Sequence, residues 1–166
     1  MSRRVALIVH NVRSCHNVGS LLRTAEGLGL EMVYLTGYTP YPLIGSDERL
    51  PHIALKSHRQ IEKTALGAEL TLPWRHRHEI LTAIAELRQA GFVVAGLEQT
   101  AQSINLTTWV PPQRVAIIVG RETFGMEPET LQLCDTVVEI PMRGRKESFN
   151  VVQAAAMALY HCVFAK

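Results

Sequence analysis

Val5-Ala6-Leu7-Ile8-Val9-His10 leads, through a short polar link, into Asn17-Val18-Gly19-Ser20-Leu21-Leu22-Arg23-Thr24-Ala25-Glu26-Gly27-Leu28 and then Met32-Val33-Tyr34-Leu35. The first stretch is a continuous apolar, partly β-branched run, the pattern of a strand covered on both faces. In the second, Val18, Leu21, Leu22, Ala25 and Leu28 fall at helical spacing, with Asn17, Ser20, Thr24 and Gly27 opposite. Asn17 suits the N-cap of this helix and Gly29 its stop. The third stretch is apolar again and reads as a second strand. Strand, helix and strand in succession predict an α/β protein whose sheet is mainly parallel and flanked by helices.

The rest of the chain continues the pattern. Further buried strands are predicted over residues 92–97, 115–119 and 136–140. A helix over 78–90 carries Ile80, Leu81, Ile84 and Leu87 on one face, with Gly91 just past its end. A short helix over 60–66 and a strand over 69–72 are also expected, and His76-Arg77-His78 reads as a helix start rather than a metal chelate. Residues 36–55, rich in Gly, Pro and Tyr, read as a long, mostly irregular connection of the kind that is usually functional. The last helix, 149–164, is apolar almost all round and needs cover from the core or from a second copy of the chain.

At 166 residues, 47% apolar and with a formal charge of +2, the chain has the size and balance of one globular domain and excludes a disordered polyelectrolyte. The net charge does not by itself point to nucleic acid. Three local clusters could meet phosphates: Lys56-Ser57-His58-Arg59, Trp74-Arg75-His76-Arg77-His78 and Arg143-Gly144-Arg145-Lys146. Solvated loops and helix ends account for them equally well. Cys15, Cys134 and Cys162 lack C-x-x-C spacing and read as reduced thiols, not as a disulfide frame or a zinc site. The histidines form no H-E-x-x-H pattern, so no metal is expected. The apolar run at 5–9 is too short for a signal sequence or a membrane span, and a cytoplasmic protein with no membrane partner is expected.

In parallel sheets ligands sit beyond the carboxyl ends of the strands. That rule directs attention to residues 10–17, 97–100, 120–125 and 140–150. Gly120-Arg121-Glu122-Thr123-Phe124-Gly125 has the outer glycine spacing of a phosphate loop, but Met126-Glu127 stands where Lys-Ser/Thr is required, which argues against nucleotide hydrolysis. Gly27-Leu28-Gly29 follows a helix, so it is no dinucleotide fingerprint. Gly120 and Gly125 suit either a tight turn or close backbone approach to a neutral or cationic ligand. Pro141 ends the strand before it, a basic loop follows, and Ser148 reads as the N-cap of the final helix, a position that also leaves free N–H groups for a ligand. Asn17, Ser20 and Arg23 fall along the non-core side of the first helix.

Three of these stretches together resemble the motifs of the SpoU/TrmH family of the SPOUT methyltransferase superfamily. They are Asn17 to Ala25, Ile118 to Met126, and Ile140-Pro141-Met142 followed by Ser148-Phe149-Asn150-Val151-Val152-Gln153-Ala154-Ala155, in the family's order and spacing. Lys63-Thr64-Ala65-Leu66-Gly67-Ala68-Glu69 also resembles a stretch common in the family. The resemblance implies one domain over residues 1–166, with a deep C-terminal trefoil knot and no separate RNA-binding domain. It implies a homodimer with the active site near the subunit interface. It implies S-adenosylmethionine as cofactor, with S-adenosylhomocysteine as product, held largely through backbone atoms at Leu97, Gly120, Ile140, Met142 and Phe149. The partner would be RNA, and the reaction methylation of a ribose 2′-hydroxyl, more often in transfer RNA than ribosomal RNA among short members.

Catalytic roles carry over by position to Arg23, Asn17, Glu122, Ser148 and Asn150. A ribose hydroxyl is a poor nucleophile and must be aligned with the sulfonium methyl. The sulfonium is already a good leaving group, so the chemistry needs no metal. Arginine stays protonated to a pKa above ~12, so Arg23 is expected first as a phosphate clamp and partner of the developing alkoxide, and second as the base. Asn17, Ser148 and Asn150 would orient ribose, the methionine carboxylate or Arg23, and Glu122 would position Arg23 or Asn17. Phe149 stands where leucine or methionine is usual, and Ser20 where a small apolar residue is common. A catalytically silent knotted RNA-binding or ribosome-assembly factor, and a base-methylating SPOUT enzyme, are the alternatives.

Overall fold

The apolar run at the N-terminus becomes the centre of a seven-stranded sheet because it has no polar face to give to solvent. In the computed structural model, which describes residues 2–165, β1 (Arg4–His10) is buried along Val5 to His10. Met1 and Lys166, the ends of the expected domain, lie outside the described residues. On one side β1 pairs in parallel with β2 (Met32–Thr36), and on the other with a strand from late in the chain, Arg114–Val119. The helix α1 (Cys15–Gly27) connects β1 to β2, as its period predicted. Its cap is Ser14 rather than Asn17: the Ser14 side chain accepts from Asn17 N at 3.2 Å. Asn17 lies inside the first turn, which frees its own side chain.

Beyond β2 the chain departs from expectation. The connection after β2 ends at Pro51, where α2 (Pro51–Ala65) begins, so residues 51–55, expected as part of the irregular connection, are helical and the helix expected over 60–66 starts nine residues earlier. Pro51 occupies a first-turn position, where a missing N–H costs nothing. Residues 69–72, expected as a strand, fall in the helical turn α3 (Ala68–Thr71) and its C-cap Leu72, where Gly67 N donates to the Glu69 carboxylate at 3.1 Å. Of His76-Arg77-His78, expected as a helix start, His76 and Arg77 belong to the edge strand β3 (Trp74–Arg77), and α4 begins later and runs Ile80–Gln89. A charged strand is tolerated here because it pairs on one side only, with β2.

The second half supplies β4 (Val93–Leu97), the short β5 (Ile104–Asn105), β6 (Arg114–Val119), α5 (Pro128–Gln132), β7 (Thr136–Glu139) and α6 (Val151–Phe164). The spatial order is β3-β2-β1-β6-β4-β7-β5, with every pairing parallel. Alternate residues therefore serve two cores. Leu7, Val33, Ile117 and Val119 face α1 and α6, whereas Ile8, Tyr34 and Ile118 face α4 and the α5 region. Against α1 lies α2, at a distance only glycine permits: a methyl at Gly19 would collide with the Ile61 carbonyl and the Thr64 hydroxyl.

The final helix is capped by Asn150, whose side chain accepts from Val152 N at 2.9 Å, so the expectation of Ser148 as cap is corrected by two residues. It is less buried than its composition suggested. Ala155, Ala158, Leu159 and Cys162 enter the core, while Met157, Tyr160 and Phe164 are exposed. Burial pushes the Cys162 thiol up to about 12 and that of Cys134 up to about 11, and all three cysteines are free. Among the described residues no helix is long and apolar enough to cross a membrane, and no group of three or more His, Cys, Asp and Glu could hold a metal ion.

Candidate active site

A parallel sheet brings the carboxyl ends of β1, β4, β6 and β7 to one edge, so residues 10–17, 97–100, 120–125 and 140–150 converge there. The sense of winding also reverses at this place: β1 and β2 run outward to β3, and the chain resumes at β4 beyond the later β6. Between the loops lies a cleft of about 350 Å³. Leu97, Val119, Gly120, Ile140, Phe149, Val151 and Ala154 give it apolar and backbone walls. Four carboxylates, Glu98, Glu122, Glu139 and Glu147, line it against the single cation Arg121. Such a donor set repels a polyphosphate and suits a cationic or zwitterionic ligand with an apolar body.

The loop after β6 is a tight turn. Arg121 N donates to the Gly125 carbonyl at 3.2 Å, and Gly125 N returns to Arg121 O at 3.1 Å. Gly125 adopts φ +64°, and a methyl there would strike the Glu98 carboxylate. Glu98 in turn accepts from Met126 N at 3.0 Å and Gln99 N at 2.8 Å. The glycine spacing thus serves the turn, and Glu98 fastens the β4 loop to the β6 loop. Sequence reasoning pointed to residues 97–100 but not to this carboxylate, because only the tertiary approach of Gly125 reveals its task.

Glu122 fastens the same turn to the start of α1. Its carboxylate accepts from Ser14 N at 3.0 Å, from Arg13 N at 3.1 Å and from Asn17 Nδ2 at 3.2 Å. Burial alone would raise its pKa, but these donors, backbone first and Asn17 last, outweigh it and hold the carboxyl below its usual range. Glu122 is therefore ionised at neutral pH and fully engaged, a positioning group rather than a base. The pairing with Asn17 was expected; the two backbone donors were not.

Of the other residues singled out from the sequence, Leu97, Gly120, Ile140, Ser148 and Phe149 line the cleft, and Ser148 and Phe149 are exposed to it. Met142 lies in the loop after β7, half-buried and outside the lining, and Asn150 is committed to its cap. Arg23 stands on the exposed side of α1 and does not line the cleft of its own chain.

The SpoU rRNA methylase family matches residues 4–160. This chain belongs to that family. Among SpoU relatives, it is 30% identical over 158 residues to the 23S rRNA (guanosine-2′-O-)-methyltransferase of Ralstonia nicotianae, covering 95% of this chain and 57% of that protein. It is 26% identical over 159 residues to the mouse tRNA (guanosine(18)-2′-O)-methyltransferase, covering 95% of this chain and 9% of the mouse protein. The SpoU methyltransferase AviRb of Streptomyces viridochromogenes, solved in complex with the cofactor AdoMet, superposes with a TM-score of 0.76 at 25% identity, covering 98% of this chain and 60% of that one. The chain thus spans little more than half the length of its Ralstonia relative. Its SpoU fold is the all-parallel α/β sheet described above.

Proposed function

We propose that this chain methylates a ribose 2′-hydroxyl of RNA, using S-adenosylmethionine. The observation that carries the reading is the carboxylate-lined, partly apolar cleft fastened by Glu122 to Asn17 and the start of α1. The cofactor supplies an electrophilic methyl group, and S-adenosylhomocysteine remains after transfer. Leu97, Gly120, Ile140 and Phe149 would hold its apolar and backbone-bonded parts, and Met142, in the loop after β7 outside the lining, is the remaining expected contact. The acidic lining favours its positive charge, and Ser148 offers a hydroxyl at the cleft wall. Asn17, oriented by Glu122, and Asn150, at the head of α6, would orient the ribose, the methionine carboxylate or Arg23.

Arg23 would bind phosphate and stabilise the developing alkoxide while the 2′-oxygen bonds the methyl carbon, the methyl–sulfur bond breaks and the hydroxyl proton passes to solvent water; proton removal by Arg23 itself is the second route. Its exposure outside the cleft fits a homodimer in which the α1 of a second copy faces the site. Exposed Phe124, Tyr160 and Phe164 supply apolar surface for such a contact. The deep trefoil knot belongs to the same reading: α6 returns from β7 at the sheet's far side to pack beneath β1 and β6, against α1. The acceptor is transfer or ribosomal RNA. The Ralstonia relative carries a ribosomal name and the mouse relative a tRNA name.

Ribose-methylation maps of all cellular RNA, with and without the gene, test this reading. One mark is expected to vanish and to return with the wild-type chain but not with Arg23→Ala. An unchanged map would overturn it. A silent RNA-binding factor would leave the map intact while still retaining RNA, and a base methyltransferase would remove a base mark instead.

A further inference from the structure

The link between β1 and α1 and the first residues after β2 are built as one rigid ledge. Asn11 adopts φ 58°, a left-handed conformation that few residues other than glycine accept. From there its N–H donates to Thr36 O at 3.2 Å, and its Oδ1 accepts from Tyr38 N at 3.2 Å. Gly37, at φ +65°, gives the room: a methyl there would collide with Asn11 Oδ1. Val12 N donates to Thr39 Oγ1 at 3.2 Å, and that hydroxyl donates to Val9 O at 3.0 Å. Every bond in this set fixes backbone on either side of Tyr38.

The ring so carefully placed packs into neither core. Tyr38 is 50% exposed and belongs to neither apolar cluster. Its neighbour is Arg13, whose guanidinium carbon stands 5.7 Å from the ring centroid. Arg13 is exposed too, and its backbone N–H is one of the donors held by Glu122. A half-open aromatic face beside an exposed cation therefore sits directly against the backbone held by Glu122, the group that orients Asn17.

We propose that Tyr38 and Arg13 form the platform for the nucleotide flanking the methylated ribose, its base stacked on the Tyr38 ring and its phosphate met by Arg13. The inference rests on the RNA methyltransferase reading and names how that site grips its substrate. Stacking on a fixed ring is sequence-tolerant, because every base has a π-face, and a preplaced ring avoids ordering a loop on binding. The position is also tied to the acceptor side, because Glu122 holds both Asn17 Nδ2 and Arg13 N, and Arg13 lies beside the Tyr38 ring. The acid-lined cleft repels the flanking phosphate, so a cation outside it steers the strand past the cleft rather than into it.

The test uses total RNA from cells lacking the gene, with methyl transfer from labelled S-adenosylmethionine and filter retention of the same RNA. Tyr38→Ala is expected to raise KM for RNA about tenfold or more while kcat and cofactor affinity hold. Tyr38→Phe, which keeps the ring, is expected to behave as wild type. Arg13→Ala should reduce the slope of log affinity against log salt by about one, which Tyr38→Ala should not. An unchanged KM in Tyr38→Ala, or a Tyr38→Phe as impaired as the alanine variant, would overturn the platform. If the wild-type chain transfers no methyl to RNA, the enzymatic reading fails by itself. Filter retention then still decides the platform: tenfold weaker retention by Tyr38→Ala supports it, and equal retention overturns it.

Discussion

Two connections of similar length leave the same edge of the sheet and are built in opposite ways. Residues 37–50, between β2 and α2, hold themselves. Arg49 donates to Tyr41 O at 2.9 Å, Pro42 O at 3.2 Å and the Asp47 carboxylate, and stacks 3.5 Å above the Tyr41 ring. Tyr41 in turn stacks on His76 of β3 at 3.9 Å. Residues 141–150, between β7 and α6, are exposed at every position except Met142, and their ion pair Lys146–Glu147 lies in solvent at 3.4 Å. One loop carries its own framework; the other, which contains Ser148 and Phe149 of the cleft, offers the Asn150 cap and the solvent-exposed Lys146–Glu147 pair in place of one. A binding loop is expected to come from the less protected end of a fold.

Glu122 joins the turn after β6, at the cleft, to the start of α1, so breaking it has the largest expected effect. Glu122→Ala releases Arg13 N, Ser14 N and Asn17 at once, and methyl transfer should fall on the order of a hundredfold, since a displacement of about 1 Å near reacting groups costs that much. Transfer within threefold of wild type would show that the tether is only structural. Arg49→Ala strips the self-supporting loop of its bonds and should lower unfolding free energy in urea by about 2–3 kcal/mol without changing cofactor affinity. Asn150→Ala removes the cap of α6 and should cost about 1 kcal/mol in the same measurement.

The smallest effect is a pH dependence. Hydrogen bonding from Arg49, opposed by burial, holds the Asp47 carboxyl well below its ordinary range. A depressed folded pKa means that this stabilisation is complete above about pH 4, the unfolded value, and fades as pH falls through the folded one. The stability gap between wild type and Asp47→Asn should therefore narrow on acidification below that point. A gap that stays constant to pH 2 would contradict the assignment. Hydrogen exchange sharpens the comparison itself: S-adenosylmethionine should slow exchange over residues 141–150 and leave 37–50 unchanged.

The parts of the fold visible in the sequence are those where local pattern and tertiary fate agree. The runs at 5–9 and 115–119 are buried on both faces, and the α1 period is that of a helix covered on one side. The edge strand β3 escaped because its residues are charged and pair on one side only, which leaves no apolar run to read. The first turns of α2 escaped because Ile53 and Leu55 are exposed there, so the apolar period begins only near Ile61. The alternating Glu69-Leu70-Thr71-Leu72 resembles a strand, yet Gly67 and the buried Glu69 close it into a helical turn.

The site divided in the same manner. Asn17 with Glu122, and the cleft residues Leu97, Gly120, Ile140, Ser148 and Phe149, were named through the motif resemblance, and they meet because those motifs fall at strand ends. Glu98, Ser14, Arg13 and Tyr38 were not, since each acts through a partner in another loop. The caps shifted because Ser14 and Asn17, like Ser148 and Asn150, are pairs of good capping residues, and local preference does not choose between members.

The most direct test is chemical. Purified chain, labelled S-adenosylmethionine and RNA from cells lacking the gene are incubated, and the product is digested to nucleosides and weighed by mass spectrometry. Label in a 2′-O-methylnucleoside is the predicted result; label confined to a base, or no transfer to RNA at all, would contradict the account.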